Sequence, residues 1–349
     1  MGLKTKTVSV EDLEVGMITA EDVIIEDSVL VGRTITLNEH IINKLQAFYP
    51  YNTIVVYVNE ASNEKDLIEL KKVEEEFKSI SSDVKEIFGN NNTLTVDSTS
   101  EIRAYSRKLQ DIIKTNHSIL KSILLHGSKE DSIYRHSVNV AALSSLLGKW
   151  AGLNEVDCRA LITASMLHDF GKTKISASIL NKKTPLTKAE YMIIKNIPKI
   201  SYEEVKKIPY IGENILLGVL MPHERCDGSG YPLGLKGDAI HPFGKILAIA
   251  DVFDAINSNR IYRNKKKPFE ALNLIKEESI QGKLDYTLCE TFLKGLSNFY
   301  IGQDVLLSNG KQARIVQMDT SNISSPLLLV DEDFIDLRTN TDINIVQLI

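Results

Sequence analysis

Cysteine is scarce in this sequence, and long apolar runs are missing. Cys158, Cys226 and Cys289 are odd in number and far apart, which argues against a disulfide framework and fits packing residues in a reducing compartment. No apolar stretch of about 18 residues occurs, and no charged-then-apolar segment opens the chain, so neither a membrane span nor a signal peptide is expected and the expected location is cytoplasmic. An excess of basic residues is also absent: 41 Lys and Arg against 46 Asp and Glu give a net charge of -5. That balance argues against binding a nucleic-acid polymer, and it leaves room for a locally basic pocket that takes a small anion. What remains is the make-up of an ordinary soluble globular protein, 349 residues long and 43% hydrophobic, enough for two or three domains.

Residues 1–60 read as a small mixed α/β module. VSVEDLEVGMITAEDVII and TIVVYV carry strand-like β-branched runs, and LNEHIINKLQAFY between them has helical spacing, with Asn38 as its cap and His40 at the surface. EKDLIELKKVEEEFKSISSDVKEIF is a charged amphipathic helix whose charges form a solvated face. A long helix ahead of a domain can also mediate dimerisation, so a homodimer is among the expectations. The polar stretch GNNNTLTVDSTS sets the main boundary, making 61–100 a helical and polar linker. Helical spacing then covers Glu101 to Leu125, where His117 and His126 lack ligand-type neighbours, and Asp131 to Trp150, and Glu155 to Asp169 behind Asn154 as cap. From Tyr300 the character changes: strand-like runs meet at Asn309-Gly310, a strong hairpin signal, so 300–349 is expected to be a small β-barrel-like module. The expected architecture is multidomain, with a mainly α-helical domain over 101–299 between two small strand-containing modules.

Chemistry concentrates in that helical domain. In ALITASMLHDFGK, Ala160 to Lys172, an apolar first half brings His168 and Asp169 to the edge of a core. A carboxylate there persists only when paired or bound to a cation, and imidazole beside carboxylate suits a divalent transition metal. Gly171 is expected to turn left-handed and stop the helix, with Lys172 just beyond. An isolated His-Asp pair is more often a plain helix end, but His136 lies in the first turns of the preceding helix. Two antiparallel helices joined by the short turn at Gly152 to Asn154 bring His136 and His168 together. Thr187 to Glu190 forms a capping box that opens the next helix, and Pro198 is expected to end it. After a helix through Ile211 to Met221 come His223, Glu224 and the glycine-rich turn Asp227-Gly-Ser-Gly-Tyr-Pro232, whose backbone can approach a ligand closely. Asp251 then interrupts an apolar helix face, while Asp254 reads as a cap or ion-pair residue on the more exposed side. Arg260 to Lys267, RIYRNKKK, reads as a solvated loop, with a phosphate-facing role as the alternative.

His136, His168-Asp169-Phe170-Gly171-Lys172, the run His223 to Pro232, and Asp251 stand in the order and spacing of the HD-GYP family of HD-domain metal phosphohydrolases, which residues 101 to 300 resemble. The resemblance implies an all-helical HD-type domain that binds cyclic di-GMP and hydrolyses it to the linear dinucleotide, and on to GMP, at an Fe or Mn centre. It implies metal ligation by His136, His168, Asp169 and Asp251, and a catalytic role for Asp169 and Lys172. Lys172, Arg225, Asp227, Gly228, Gly230, Tyr231, Arg260 and Arg263 are the implied substrate contacts. Departures accompany it. Ile197 and Pro222 stand where members carry second-metal histidines, Ser132 where metal-richer members carry Glu, and Cys226 and Ile261 replace a usual Trp and Pro. One tight metal site is therefore expected, with His223 as a remnant ligand of a weak second site, and hydrolysis is expected to be weakened. The alternatives are a catalytically impaired cyclic di-GMP receptor and a single-metal hydrolase of another nucleotide phosphoester. The DGSGYP loop favours the dinucleotide readings.

Overall fold

The computed structural model describes the chain apart from residues 1–4, 14–16, 26–27, 34, 36, 38, 50–51, 58–63, 90–93, 95, 116–117, 129–131, 259–267, 332, 341 and 349. It divides into two units, Met1–Leu67 with Leu329–Phe334, and Ile68–Leu328 with Ile335–Ile349.

The N-terminal module contains β1 (Thr5–Ser9), β2 (Ile18–Thr19), β3 (Val23–Ile25), β4 (Ser28–Val31), α1 (Glu39–Phe48) and β5 (Thr53–Tyr57). An antiparallel sheet of order β1-β5-β2 and the hairpin β3-β4 surround a small core in which Val10, Leu37, Leu45 and Val56 are fully buried. Among its described residues the module combines short strands with one helix.

The helical part runs α2 (Glu64–Gly89), α3 (Val96–Thr115), α4 (Ile119–His126), α5 (Ser132–Trp150), α6 (Glu155–Leu167), α7 (Ala177–Leu180), α8 (Lys188–Lys195), α9 (Ile197–Val205), α10 (Glu213–Leu220), α11 (Pro242–Asn257), α12 (Pro268–Ile280) and α13 (Tyr286–Tyr300). The helix read over Glu101 to Leu125 is in fact two, α3 and α4. The charged helix α2 is more than a solvated rod: Val73, Phe77, Ile80, Val84 and Phe88 form a fully buried stripe. Phe88 meets Phe170 edge-on at 4.9 Å between ring centroids. At the start of α6 the Asn154 side chain accepts from the Val156 and Asp157 amides, as its cap position required. Gly148 of α5 lets Leu161 and Leu153 approach to about 3 Å of where a Cβ would stand, so α5 and α6 pack closely. The capping box of Thr187 and Glu190 forms. Pro198 does not end α8, which stops at Lys195; it lies in the first turn of α9, where a missing N–H costs nothing.

The C-terminal strands are β6 (Asp304–Leu307), β7 (Gln312–Gln317), β8 (Leu327–Val330), β9 (Asp333–Asp336) and β10 (Ile345–Leu348), in the order β10-β6-β7-β8-β9. Gly310 at φ 82° makes the β6-β7 turn that Asn309-Gly310 announced. The sheet does not close, which corrects the barrel-like expectation. Closure needs strands long enough to tilt and stagger until the edges pair, whereas β9 and β10 have four residues each and remain edges.

Candidate metal centre

Three helices deliver the site. His136 comes from the second turn of α5, and His168 and Asp169 from the end of α6. Asp251 comes from α11, whose Phe243, Leu247, Ala250 and Phe253 are buried. The predicted convergence holds, with the rings of His136 and His168 5.5 Å apart. Ligand atoms of His136, His168 and Asp251 lie within 4.8 Å of one another. His136 Nε2 is 3.1 Å from Asp251 Oδ1, and Asp169 Oδ2 is 3.6 Å from the Nε2 of both His136 and His168. Donors about 2.1 Å from one ion stand roughly 3–4 Å from each other, so the spacing suits a single first-row cation.

The hydrogen bonds prepare both imidazoles as ligands. His168 Nδ1 donates to the Ser165 carbonyl at 2.6 Å, which leaves Nε2 as a bare lone pair. His136 Nδ1 donates to Asp254 Oδ2 at 2.7 Å and turns its Nε2 towards Asp251. His168 Nε2 and Asp169 Oδ1 are buried without a hydrogen-bond partner among the described residues, a costly arrangement in a core unless a cation meets them. The residues present therefore fit a bound divalent metal. Burial opposes ionisation of Asp169, yet Lys172, His168 and His136 hold its carboxyl far below the usual range. Asp251 behaves alike: burial opposes ionisation, and His136 and His223 more than reverse it. Burial pushes His168 down, which keeps it neutral, the form that ligates.

Other expected residues fall around this centre. Lys172 is bonded to Asp169 Oδ2 and is partly exposed. His223 Nδ1 is 3.4 Å from Asp251 Oδ2, the oxygen not turned to His136, and its ring lies 5.0 Å from Tyr231. Glu224 is buried and accepts from the Leu233 and Leu235 amides, so it shapes the glycine-rich loop and is not free to ligate. Asp227 is exposed and accepts from the Ser229 amide and hydroxyl, which makes it a turn residue of the loop. Arg225 donates to the carbonyl of Glu224. Gly228 has φ 86°, and a Cβ on Gly230 would stand 2.3 Å from the Arg225 amide nitrogen, so this loop needs both glycines. Arg260, Arg263 and Ile261 lie outside the described residues. Ile197 and Pro222 are both buried.

Two readings are corrected. Gly171 does not turn left-handed; it is required because a Cβ would strike the Ile197 carbonyl at 2.5 Å. Asp254 is fully buried and holds His136, where an exposed cap or pair was expected. The available signal was a second carboxylate three residues after Asp251 on a helix otherwise apolar there.

The HD domain family profile matches residues 114–288. A 3'3'-cGAMP-specific phosphodiesterase of Vibrio cholerae is 33% identical over 174 residues, 50% of this chain and 40% of that protein. A cyclic di-GMP phosphodiesterase of Thermotoga maritima is 38% identical over 176 residues, 49% of this chain and 46% of the relative. Another, of Pseudomonas aeruginosa, is 28% identical over 219 residues, 63% and 52% of the two chains. The chain thus spans about half the length of the curated relatives it matches. An HDG"Y"P protein from Bdellovibrio bacteriovorus shares the fold with a TM-score of 0.55 at 16% identity, covering 84% of this chain and 99% of that one. With half its length inside the profile match and the His168-Asp169 pair within it, the chain belongs to the HD domain family.

Proposed function

We propose that the helical part is a divalent-metal-dependent phosphodiesterase that opens cyclic di-GMP to the linear dinucleotide and carries it on to GMP at a weakened rate. The observation that carries this reading is the buried cluster itself, in which His168 Nε2 and Asp169 Oδ1 lack partners among the described residues while both imidazoles present lone pairs. His136, His168, Asp169 and Asp251 would hold the cation, with iron or manganese suited to this nitrogen and carboxylate set. When bound, such a cation supplies Lewis acidity and a nucleophile at neutral pH. Lys172 neutralises charge that develops on the phosphate, since its ammonium is partly exposed and can leave Asp169 for a substrate oxygen. Gly228, Gly230 and Tyr231 give the substrate a backbone-lined wall, and Arg225 flanks it. Relatives named as cyclic di-GMP and 3'3'-cGAMP phosphodiesterases support the cyclic dinucleotide class.

One tight metal site is expected because Ile197 and Pro222 offer no donor where further ligands are expected, leaving His223 as the remnant of a second site. Those two residues also favour a second reading, a receptor that binds the dinucleotide and does not hydrolyse it. The experiment is turnover of cyclic di-GMP with manganese, or ferrous iron supplied anaerobically, beside a binding titration and elemental analysis. Hydrolysis abolished in Asp169→Ala supports the enzyme. Tight binding with no turnover in either metal leaves the receptor.

A further inference from the structure

Asp254 receives four donors. Its Oδ2 accepts from Ser128 Oγ at 2.6 Å and His136 Nδ1 at 2.7 Å, and its Oδ1 from Asn139 Nδ2 at 2.9 Å and Ser258 Oγ at 3.3 Å. The bonds continue outward. The Asn139 amide oxygen accepts from Arg135 Nε at 3.0 Å. The Arg135 guanidinium, 6% exposed, ends on Glu74 of α2, with 3.2 Å and 2.7 Å bonds to its two carboxylate oxygens. Ser122 Oγ donates to the same carboxylate at 2.9 Å, and the Phe77 ring, one turn along α2, lies 5.1 Å from the guanidinium carbon.

This path has a polarity. Glu74 is negative, Arg135 positive, Asp254 negative, and beyond His136 lies the place of a cation. The Asn139 amide between them has one favourable orientation, oxygen to Arg135 and NH2 to Asp254, because the reverse sets its oxygen against a carboxylate. A buried guanidinium requires a counter-charge. With Glu74 present that charge is on α2. Without it, the next carboxylate along the bonded path is Asp254, and recruiting Asp254 competes with the His136 Nδ1 bond.

We propose that Glu74 is a positioning residue of the metal centre, fixing the tautomer and orientation of His136 through Arg135, Asn139 and Asp254, so that α2 sets the affinity of the site for its cation. This rests on the part of the functional reading that makes His136 a ligand. It does not depend on which phosphodiester is cleaved. α2 is the segment that follows the N-terminal module in the chain, and this path links it to His136.

The test is Mn²⁺ titrated into the metal-free full-length chain, with free ion followed by electron paramagnetic resonance and a thermal melt on each sample. Loss of a ligand's direct partner typically weakens metal binding roughly 10–100-fold, and Asp254→Asn is expected in that range. Glu74→Gln, three links further out, is expected to weaken it about 3–10-fold. In the Asp254→Asn background, Glu74→Gln is expected to change affinity less than about twofold, because the path is already cut. Glu74→Met combined with Arg135→Met removes both charges at similar volume, which protects folding, and it leaves no guanidinium to draw on Asp254, so its affinity is expected to stay within about twofold of the parent. Unchanged Mn²⁺ affinity in folded Glu74→Gln would overturn the proposal, as would a Met pair that loses as much as Glu74→Gln, or an equal loss for Glu74→Gln with and without Asp254. A chain that shows these dependences but cleaves no cyclic dinucleotide upholds the proposal and removes only the phosphodiesterase reading.

Discussion

Gly171→Ala is the most direct probe of how the His168-Asp169 turn is held. Gly171 lies in the 3-10 turn Phe170–Lys174, where its amide donates to Ser201 Oγ at 2.7 Å. A Cβ added there would stand 2.5 Å from the Ile197 carbonyl oxygen, 2.9 Å from Ser201 Oγ and 3.0 Å from the Ser201 amide nitrogen. Its φ lies outside the left-handed region, so alanine carries no backbone penalty and the whole cost is steric. Ordinary contact begins near 3.4 Å, so the turn and α9 must separate by about 0.9 Å. Two of the three obstacles are backbone atoms of α9 and cannot rotate away. Overpacking of this kind costs about 1–3 kcal/mol, and a lost buried hydrogen bond adds about 1 kcal/mol. A total of about 2–4 kcal/mol lowers the melting temperature of a unit this size by roughly 4–16 °C. Thermal and urea unfolding measured beside Gly89→Ala, where a Cβ meets no atom of the described residues within 4 Å, checks this. A Gly171→Ala protein within about 0.5 kcal/mol of the parent would refute the packing argument.

Phe88→Ala is expected to cost about 3–5 kcal/mol, since its ring is fully buried against Phe170 and Tyr134; a loss under about 1 kcal/mol in urea unfolding would show that α2 is not part of the core. Glu190 is held down to about 2 from 4.5 by Lys182 and by the Thr187 amide. Its stabilisation is therefore fully present above pH 4.5 and lost as pH falls towards 2, so the stability gap between the parent and Glu190→Gln should close over that window, with salt narrowing it because the pair is partly open to solvent. Lys172→Ala is expected to lower turnover and raise KM without weakening Mn²⁺ binding, because Asp169 loses a competitor for its carboxylate; weaker Mn²⁺ binding would contradict the assigned role. Chelation is expected to lower the melting temperature, and Mn²⁺ at a hundred times its Kd to restore about 2.7 kcal/mol; a melting curve indifferent to both would exclude a native-state metal site.

Much of the molecule was written locally. The Asn154 cap, the Thr187 and Glu190 capping box and the Asn309-Gly310 turn each depend on residues within four positions, and each formed as read. The approach of His136 to His168 was legible too, because a short turn between two amphipathic helices leaves one way to bury both apolar faces.

Other features were decided only in three dimensions. Asp254 meets His136 across 118 positions, and Arg135 meets Glu74 across 61. Nothing in the spacing of such residues distinguishes a buried anchor from a surface charge; the bonds that join α2 to α5 and α5 to α11 make the distinction. Gly171 belongs to the same class, its need set by the approach of α9 and not by its own φ. The open C-terminal sheet was settled by pairing between distant strands, which alternation within each strand does not specify. The sequence alone made the helical domain and the glycine-rich loop legible, because patterning and helix-end chemistry act within a few turns, while the four metal-ligand candidates as a set were implied by the resemblance to a known family. Tertiary structure decided which carboxylate orients His136 and how that bond reaches α2, because a buried charge is defined by the partners that folding brings to it.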